Sequence, residues 1–291
     1  MIALVALLGS NANRTNVDLV AAWRELGIEA ELIAPREARR RLRAGDVALA
    51  RLDVLPTLDG VEPGLLELLL LERGGEIRIW NGTAALLGAH DKLLTARLLA
   101  ESGVPHPRTL HVRRGAEIPS VEPPLAVKPR FGSWGRDVFR CESRADLERV
   151  LDAVRERPWF HRHGALVQEL VAPQGHDLRL LVAGGRVVGA VQRVAAPGEW
   201  RTNVSLGGSL RPAFPQPEVC ELGVAAALAI GADFVGVDLL PLPGGGYTVL
   251  ELNGAVEFDG RYSLPGGDVY TEVAAAVGVA AVPREAQPVP A

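Results

Sequence analysis

The sequence predicts an α/β chain: a small parallel-sheet unit at the N-terminus, then a larger region built around hairpins. Three observations carry this. The chain opens on a strand–helix–strand pattern, which implies a parallel sheet. Three later stretches, at 125–140, 175–194 and 234–253, each join two β-type runs through a glycine-containing turn. And 291 residues that are 48% hydrophobic suffice for two domains, or one elaborate α/β unit, with a real core.

Residues 2–8 (IALVALL) read as a buried strand, with Gly9-Ser10-Asn11 as its turn. A helix follows from Thr15 to Leu26, stopped by Gly27, and then a strand from Ile28 to Ile33. The turn lacks GxGxxG, so dinucleotide binding has little support. The basic cluster at 39–43 reads as a solvated helical face and not a nucleic-acid patch, because the chain carries a net charge of −4. A Leu-rich helix at 64–73 and a strand at 78–80 complete a domain over residues 1–85.

In DKLLTARLLAESGVPHPRT (91–109), Asp91 caps a helix that Ser102-Gly103 and two prolines end. Lys92 then stands in the first turn, where its charge opposes the helix dipole and a bound anion would offset the cost. In LAVKPRFGSWGRDVFR (125–140), Ala126 and Lys128 share one face of a strand that leads to a glycine-rich tip. Backbone N–H groups of such a tip can cradle phosphate, but a plain hairpin fits the pattern as well. A charged helix covers 143–157, and the strand ALVQEL ends in Gln168 and Glu169. In GHDLRLLV (175–182) Asp177 and Arg179 share a face; a Gly-Gly turn leads to RVVGAVQRV, which carries Arg193. The polar stretch 198–209 reads as a functional loop, with Arg201 and Asn203 on one face if extended. A helix at 218–230 precedes the third hairpin, a last helix spans 268–277, and the Pro-rich residues 283–291 read as a loose tail.

The third hairpin, FVGVDLLPLPGGGYTVLELN, holds a carboxylate in each strand. If the Pro-Gly segment is the turn, Asp238 lies beside Glu251. Two such acids repel and lose hydration, so something must compensate them. A hard cation bound by Asp238, Glu251 and the Asn253 amide oxygen would do so, and an edge hairpin with solvated acids fits equally well. Composition adds one sharp fact. Of 31 basic residues only Lys92 and Lys128 are lysine, which points to sites needing a compact, rotatable ammonium. No apolar run approaches the ~20 residues of a membrane span. Met1 leads straight into the first strand, with no basic leader. Two cysteines, Cys141 and Cys220, without zinc spacing make a reduced, cytoplasmic location the default.

Taken in order, DKLLTARLLAESGVPHPRT, VKPRFGSWGRDV, LVQEL, GHDLRLLVAGGRVVGAVQR, RTNVSLGGS and GVDLL…LELN resemble the ATP-grasp ligases. They are most similar to the RimK-type and LysX-type branch, which adds amino acids to carriers or peptides. The resemblance covers residues 80–280 and implies an ATP-grasp fold, α+β in its ligase part, over 86–282. A lid-bearing subdomain at 105–170 and a metal-binding part at 171–282 would divide it.

The resemblance also implies roles. Lys92 and Lys128 would contact ATP phosphates. Gln168, Glu169 and Leu170 would form the hinge that receives adenine, largely through backbone groups. Asp177 would be a polar nucleotide contact. Arg201 and Asn203 would lie between nucleotide and acceptor, with Arg201 and Arg193 serving the transferring phosphoryl or acyl-phosphate charge and Arg179 beside them. Asp238, Glu251 and Asn253 would be ligands of Mg²⁺, with Mn²⁺ as the alternative. The expected activity is ATP-dependent joining of a carboxylate, as its acyl phosphate, to an amine, adding an amino acid to a peptide, protein or carrier. A small-molecule dipeptide ligase and a non-catalytic ATP-binding regulator are the other readings. Neither nucleic acid nor membrane is an expected partner; a homodimer or homotetramer is. One departure stands out. Where this branch often follows the metal Asn with a Ser-Pro-Gly type turn, this chain has Gly254-Ala255-Val256-Glu257-Phe258.

Overall fold

The computed structural model describes residues 4–10, 13–118 and 120–278; the predicted tail at 283–291 and Asn11 of the first turn lie outside them. The N-terminal unit runs β1 (Val5–Gly9), α1 (Arg14–Glu25), β2 (Ala30–Ile33), α2 (Pro35–Arg41), β3 (Val47–Arg51), α3 (Leu65–Gly74) and β4 (Arg78–Trp80). Its strands form a parallel sheet in the order β2-β1-β3-β4. Helix α1 starts one residue before the predicted Thr15 because the Asn13 side chain accepts from the Asn16 N–H and caps it. The basic cluster does form an exposed helical turn, at the end of α2.

Helices α4 (Thr83–His90) and α5 (Lys92–Glu101) lead into the second unit. Asp91 caps α5 as predicted, accepting from the N–H groups of Leu93 and Leu94. Next come β5 (Thr109–Val112), β6 (Leu125–Pro129), β7 (Phe139–Cys141), α6 (Arg144–Val154), α7 (Pro158–His163) and β8 (Ala165–Glu169). These strands make an antiparallel sheet, β5-β8-β6-β7. The third sheet uses β9 (His176–Ala183), β10 (Arg186–Val194), β11 (Ser209–Pro212), β12 (Phe234–Pro241) and β13 (Tyr247–Asn253), antiparallel in the order β11-β10-β9-β12-β13. Helices α8 (Pro217–Ala229) and α9 (Val269–Ala276) pack on it.

Strand β3 and helix α4 give no clear periodic signal. Each is short and buried nearly all round, so no polar face alternates with an apolar one. One face of the parallel sheet has a core of its own, with Ala6, Leu8, Ile33, Ala48, Leu68 and Leu71, and the other face shares its core. One apolar cluster runs from Leu7, Leu19 and Trp23 to Leu181, Phe234, Phe258 and Val273 of the third sheet and its cover. Polar contacts pin the same joint. Asn81 donates to the Phe234 carbonyl (2.5 Å) and accepts from the N–H groups of Asp233 (3.1 Å) and Phe234 (3.0 Å). Thr15 exchanges two hydrogen bonds with the Phe258 backbone, both 3.1 Å. The shared core holds the C-terminal edge of the parallel sheet against the β12–β13 hairpin, and a chamber forms there.

Candidate active site

A cleft of about 1000 Å³ lies between the two antiparallel sheets. Strand alternation in β6 sends Leu125 and Val127 into the core and turns Lys128 into this cleft, as the sequence predicts. Lys128 is 5% exposed, and its Nζ donates to Gln168 Oε1 at 2.7 Å. Gln168 is itself held by its Nε2, which donates to Thr109 Oγ1 at 2.8 Å. Burial pushes the Lys128 ammonium down to about 8; the Glu251 charge works against this and Lys92 adds to it. Lys92 reaches two elements at once. Its Nζ donates to the Gly132 carbonyl of the glycine-rich tip (2.7 Å) and lies 3.2 Å from Glu251 Oε2. The first-turn cation that the helix dipole disfavours is thus met by a carboxylate.

The predicted acid pair forms. Asp238 and Glu251 are direct cross-strand partners, with a bulge immediately after Asp238. Register then builds an ionic row across the third sheet. Arg193 opposes Asp177, and Arg179 opposes Asp238. Arg179 grips Asp238 through two bonds (2.6 and 2.7 Å), and Arg193 reaches both Asp177 and Asp238, the latter at 2.7 Å. Burial alone would raise the Asp238 carboxyl, but the two guanidiniums hold it well below the usual carboxylate range. Burial likewise opposes ionisation of Glu251, and Lys92, with help from Lys128, holds its carboxyl low.

Two predicted contacts take a different form. The Asp177 carboxylate, 1% exposed, is occupied by Arg193 and by the Thr202 hydroxyl (2.5 Å), so it braces the row and the loop at 198–208. At the hinge, the Glu169 N–H bonds the Arg108 carbonyl and the Leu170 N–H bonds the Pro124 carbonyl, both at 3.0 Å. Backbone donors for a ligand there fall to Val171 and Ala172, which also line the cleft.

The glycine-rich tip is latched by the functional loop. Arg201 Nη1 donates to the Gly135 carbonyl (2.9 Å), and Ser205 Oγ donates to the Trp134 carbonyl (3.0 Å). Glu199 steadies the same guanidinium through Nε (3.0 Å) and Nη2 (2.8 Å). Gly135 sits at φ +69°, and a Cβ there would meet Asn203 Oδ1 at 2.8 Å; only glycine lets the tip seat against Asn203.

The oxygen set for a divalent cation is limited. Among the described residues no three His, Cys, Asp or Glu side chains converge on one point. Two carboxylates and one amide oxygen suit Mg²⁺, which keeps waters and completes its shell with substrate phosphates. The Asn253 Oδ1 already accepts from the Ala255 N–H (2.9 Å), which fixes its direction and leaves a second lone pair. Asp238 spends both oxygens on Arg179 and Arg193 and lines neither space, so Glu251 and Asn253 are the donors open to an ion.

Sequence reasoning missed three residues beside this hairpin: Asp53, His90 and Glu257. Asp53 follows β3, and a polar residue beyond the carboxyl end of a parallel strand is a recurrent site position. The signal was present once β3 was recognised.

The parallel sheet followed by two antiparallel sheets that enclose a lysine-bearing cleft defines an ATP-grasp architecture. Solved ATP-grasp structures share it. A RimK domain protein from Sphaerobacter thermophilus superposes with TM-score 0.64 at 24% identity, covering 95% of this chain and 100% of that one. D-alanine–D-alanine ligase from Bacillus anthracis superposes with TM-score 0.65 at 17% identity, covering 94% and 90%. The chain belongs to the RimK-like ATP-grasp family, a family of carboxylate–amine ligases, whose model matches residues 89–277. A probable alpha-L-glutamate ligase of Shewanella amazonensis is 31% identical over 90% of this chain and 91% of its own length. The tetrahydromethanopterin:alpha-L-glutamate ligase of Methanosarcina acetivorans is 32% identical over 68% of this chain and 66% of its own. The chain thus spans a little under two thirds of the length of several curated relatives it matches. No described helix is long and apolar enough to cross a membrane.

Proposed function

We propose that this chain uses ATP to activate a carboxylate as its acyl phosphate and then joins it to the amino group of an amino acid. The observation that carries the reading is Lys92, which touches the glycine-rich tip and the acidic hairpin at once, with Lys128 buried alongside. Phosphoryl transfer to a carboxylate brings two anions together, so catalysis rests on positioning and on cations aimed at the developing charge. Lys128 and Lys92 meet the phosphates, and Arg193 and Arg201 meet the transferring group. Leaving Gln168 for a phosphate oxygen costs the Lys128 ammonium one neutral hydrogen bond and gives it a charged one. Glu251 and Asn253 would hold Mg²⁺ or Mn²⁺, which when bound neutralises phosphate charge and orients the γ-phosphoryl group. The latched tip covers the cleft and keeps water from the acyl phosphate.

The relatives' names support L-glutamate as the amine, added to an acid carried by a peptide, protein or small carrier; a free amino acid as the acid would make the product a dipeptide. The unpaired Cys141 and Cys220 support a reducing, cytoplasmic setting. Hydroxylamine trapping across a panel of carboxylic acids tests the first step, since an acyl phosphate yields a hydroxamate whatever the natural amine. Lys128→Met keeps the packing and removes the ammonium, and hydroxamate formation should fall by at least about 100-fold. A folded K128M protein that matches the parent would overturn the assignment.

A further inference from the structure

Arg51, the last residue of β3, is fully buried and forms no salt bridge among the described residues. Its guanidinium lies over the rings of Phe234 (5.5 Å) and Phe258 (6.0 Å). Burial pushes the group down to about 10, against the opposing charges of Asp53 and Glu257, so it stays charged near pH 7. A cation held in this way is costly, because aromatic faces and neutral acceptors return only part of its hydration. One of its nitrogens, Nη1, is buried without an acceptor and adds to the cost. A side chain that only filled this space would be apolar.

What the guanidinium offers instead is two directed hydrogen bonds. Nε donates to Asn16 Oδ1 (2.6 Å), and Nη2 donates to the Val256 carbonyl (2.7 Å). Asn16 is braced in turn, because its Nδ2 donates to the Ser10 carbonyl (3.0 Å) after the first strand. Val256 belongs to the atypical stretch just beyond Asn253. The chain leaves β13 there, so its backbone has no strand ladder to satisfy it. Side chains of the parallel-sheet unit take over: Arg51 serves Val256, and Thr15 serves both backbone groups of Phe258.

Two features tie Val256 back to Asn253. Its neighbour Ala255 donates its N–H to Asn253 Oδ1 (2.9 Å). The Val256 side chain packs over Gly236, the direct cross-strand partner of Asn253, where a Cβ would come within 2.5 Å of Val256 Cγ2. The carbonyl that Arg51 holds is therefore one residue from the N–H that aims the Asn253 amide.

We propose that Arg51 is a positioning residue for Asn253: by holding the Val256 carbonyl it fixes Ala255, and with it the direction in which Asn253 Oδ1 faces a divalent cation. The inference rests on the reading of Asn253 as a metal ligand. Groups that orient a ligand from behind set much of a site's affinity, and losing one weakens metal binding by about 10–100-fold. A guanidinium suits the task because its planar fork bonds two groups at fixed angles, whereas an ammonium is a rotating point charge.

Mn²⁺ binding to the full chain with saturating ADP, read by electron paramagnetic resonance, tests this without turnover. Arg51→Met puts an apolar chain among the aromatic rings; such replacements of buried charges commonly keep the fold, and a thermal melt checks it. The Kd for Mn²⁺ should rise at least about tenfold, while ADP affinity without metal stays at the parent value. Arg51→Lys keeps the charge but not the fork; it should recover part of the loss, and it carries the test if the Met variant does not fold. Thr15→Val loosens the same stretch at Phe258 and should leave Mn²⁺ affinity near the parent value. In an Asn253→Ala background, Arg51→Met should weaken Mn²⁺ binding no further, as expected of a residue that acts through Asn253. Parent-like affinity in every folded Arg51 variant, an equal loss in Thr15→Val, or additive losses in the double variant would each overturn the inference. An Asn253→Ala protein that binds Mn²⁺ as the parent does overturns the metal reading of Asn253 instead.

Discussion

Two carboxylate pairs flank the same hairpin and are held in opposite electrostatic states. Asp238 and Glu251 face Arg179, Arg193 and Lys92, and both stay ionised against burial. Asp53 and Glu257, across the chamber, have no salt-bridge partner among the described residues and bind their protons more tightly than free carboxylates. The difference teaches that charge compensation and not acid content sets the state of each pair. A pair faced by cations stays charged when buried, whereas a pair without them holds its protons more tightly.

Breaking the compensated pair should have the largest effect. Asp238→Asn leaves Arg179 and Arg193 buried with one partner's charge removed, and chemical denaturation should show a loss of about 3–5 kcal/mol. The pH dependence distinguishes this from simple packing loss. A carboxyl held low in the folded state contributes stability that is full above the usual carboxylate range and lost as pH falls through its folded value. The difference between parent and D238N should therefore shrink as the solution is acidified; a pH-independent difference would remove the ionic explanation.

Closing the uncompensated side should cost less. Gly254→Ala places a methyl 2.9 Å from Leu86 Cδ2 and 3.1 Å from His90 Nε2. Overpacking of this kind costs about 1–3 kcal/mol. Chemical denaturation should show that loss, and unchanged stability would mean that Leu86 and His90 shift aside.

The smallest effect should be a gain. Removing the Asp53 charge relieves a folded-state penalty, so Asp53→Asn should raise the melting temperature by on the order of 2 °C at neutral pH. Here the sign is reversed. The raised carboxyl is protonated in both states in strong acid, and its cost appears as pH rises past the usual carboxylate value. The gain should accordingly vanish in acid. A loss of stability at neutral pH would show that Asp53 is chiefly a structural acceptor for the Val54 N–H, which it also bonds at 2.6 Å.

Much of the lysine-bearing cleft was legible in the chain, because it depends on neighbours in sequence. Alternation turned Lys128 inward, Asp91 capped the helix that carries Lys92, and the glycine-bearing hairpin set Asp238 opposite Glu251. The rarity of lysine marked both ammonium positions before any geometry was known. These signals are periodic or local, and the backbone enforces them within a few residues. The partners of the charges were a different matter. That Asp177 spends its carboxylate on Arg193 and Thr202, and that the hinge N–H groups are already bonded, follows from strand order across the third sheet and from packing against neighbouring strands. The chamber lies further still from sequence reach. Asp53, His90 and Glu257 meet only because one shared core seats the parallel sheet against the hairpin. Whether a carboxylate holds or releases a proton is set by which charges and how much water stand around it in space, and only the tertiary structure decides that.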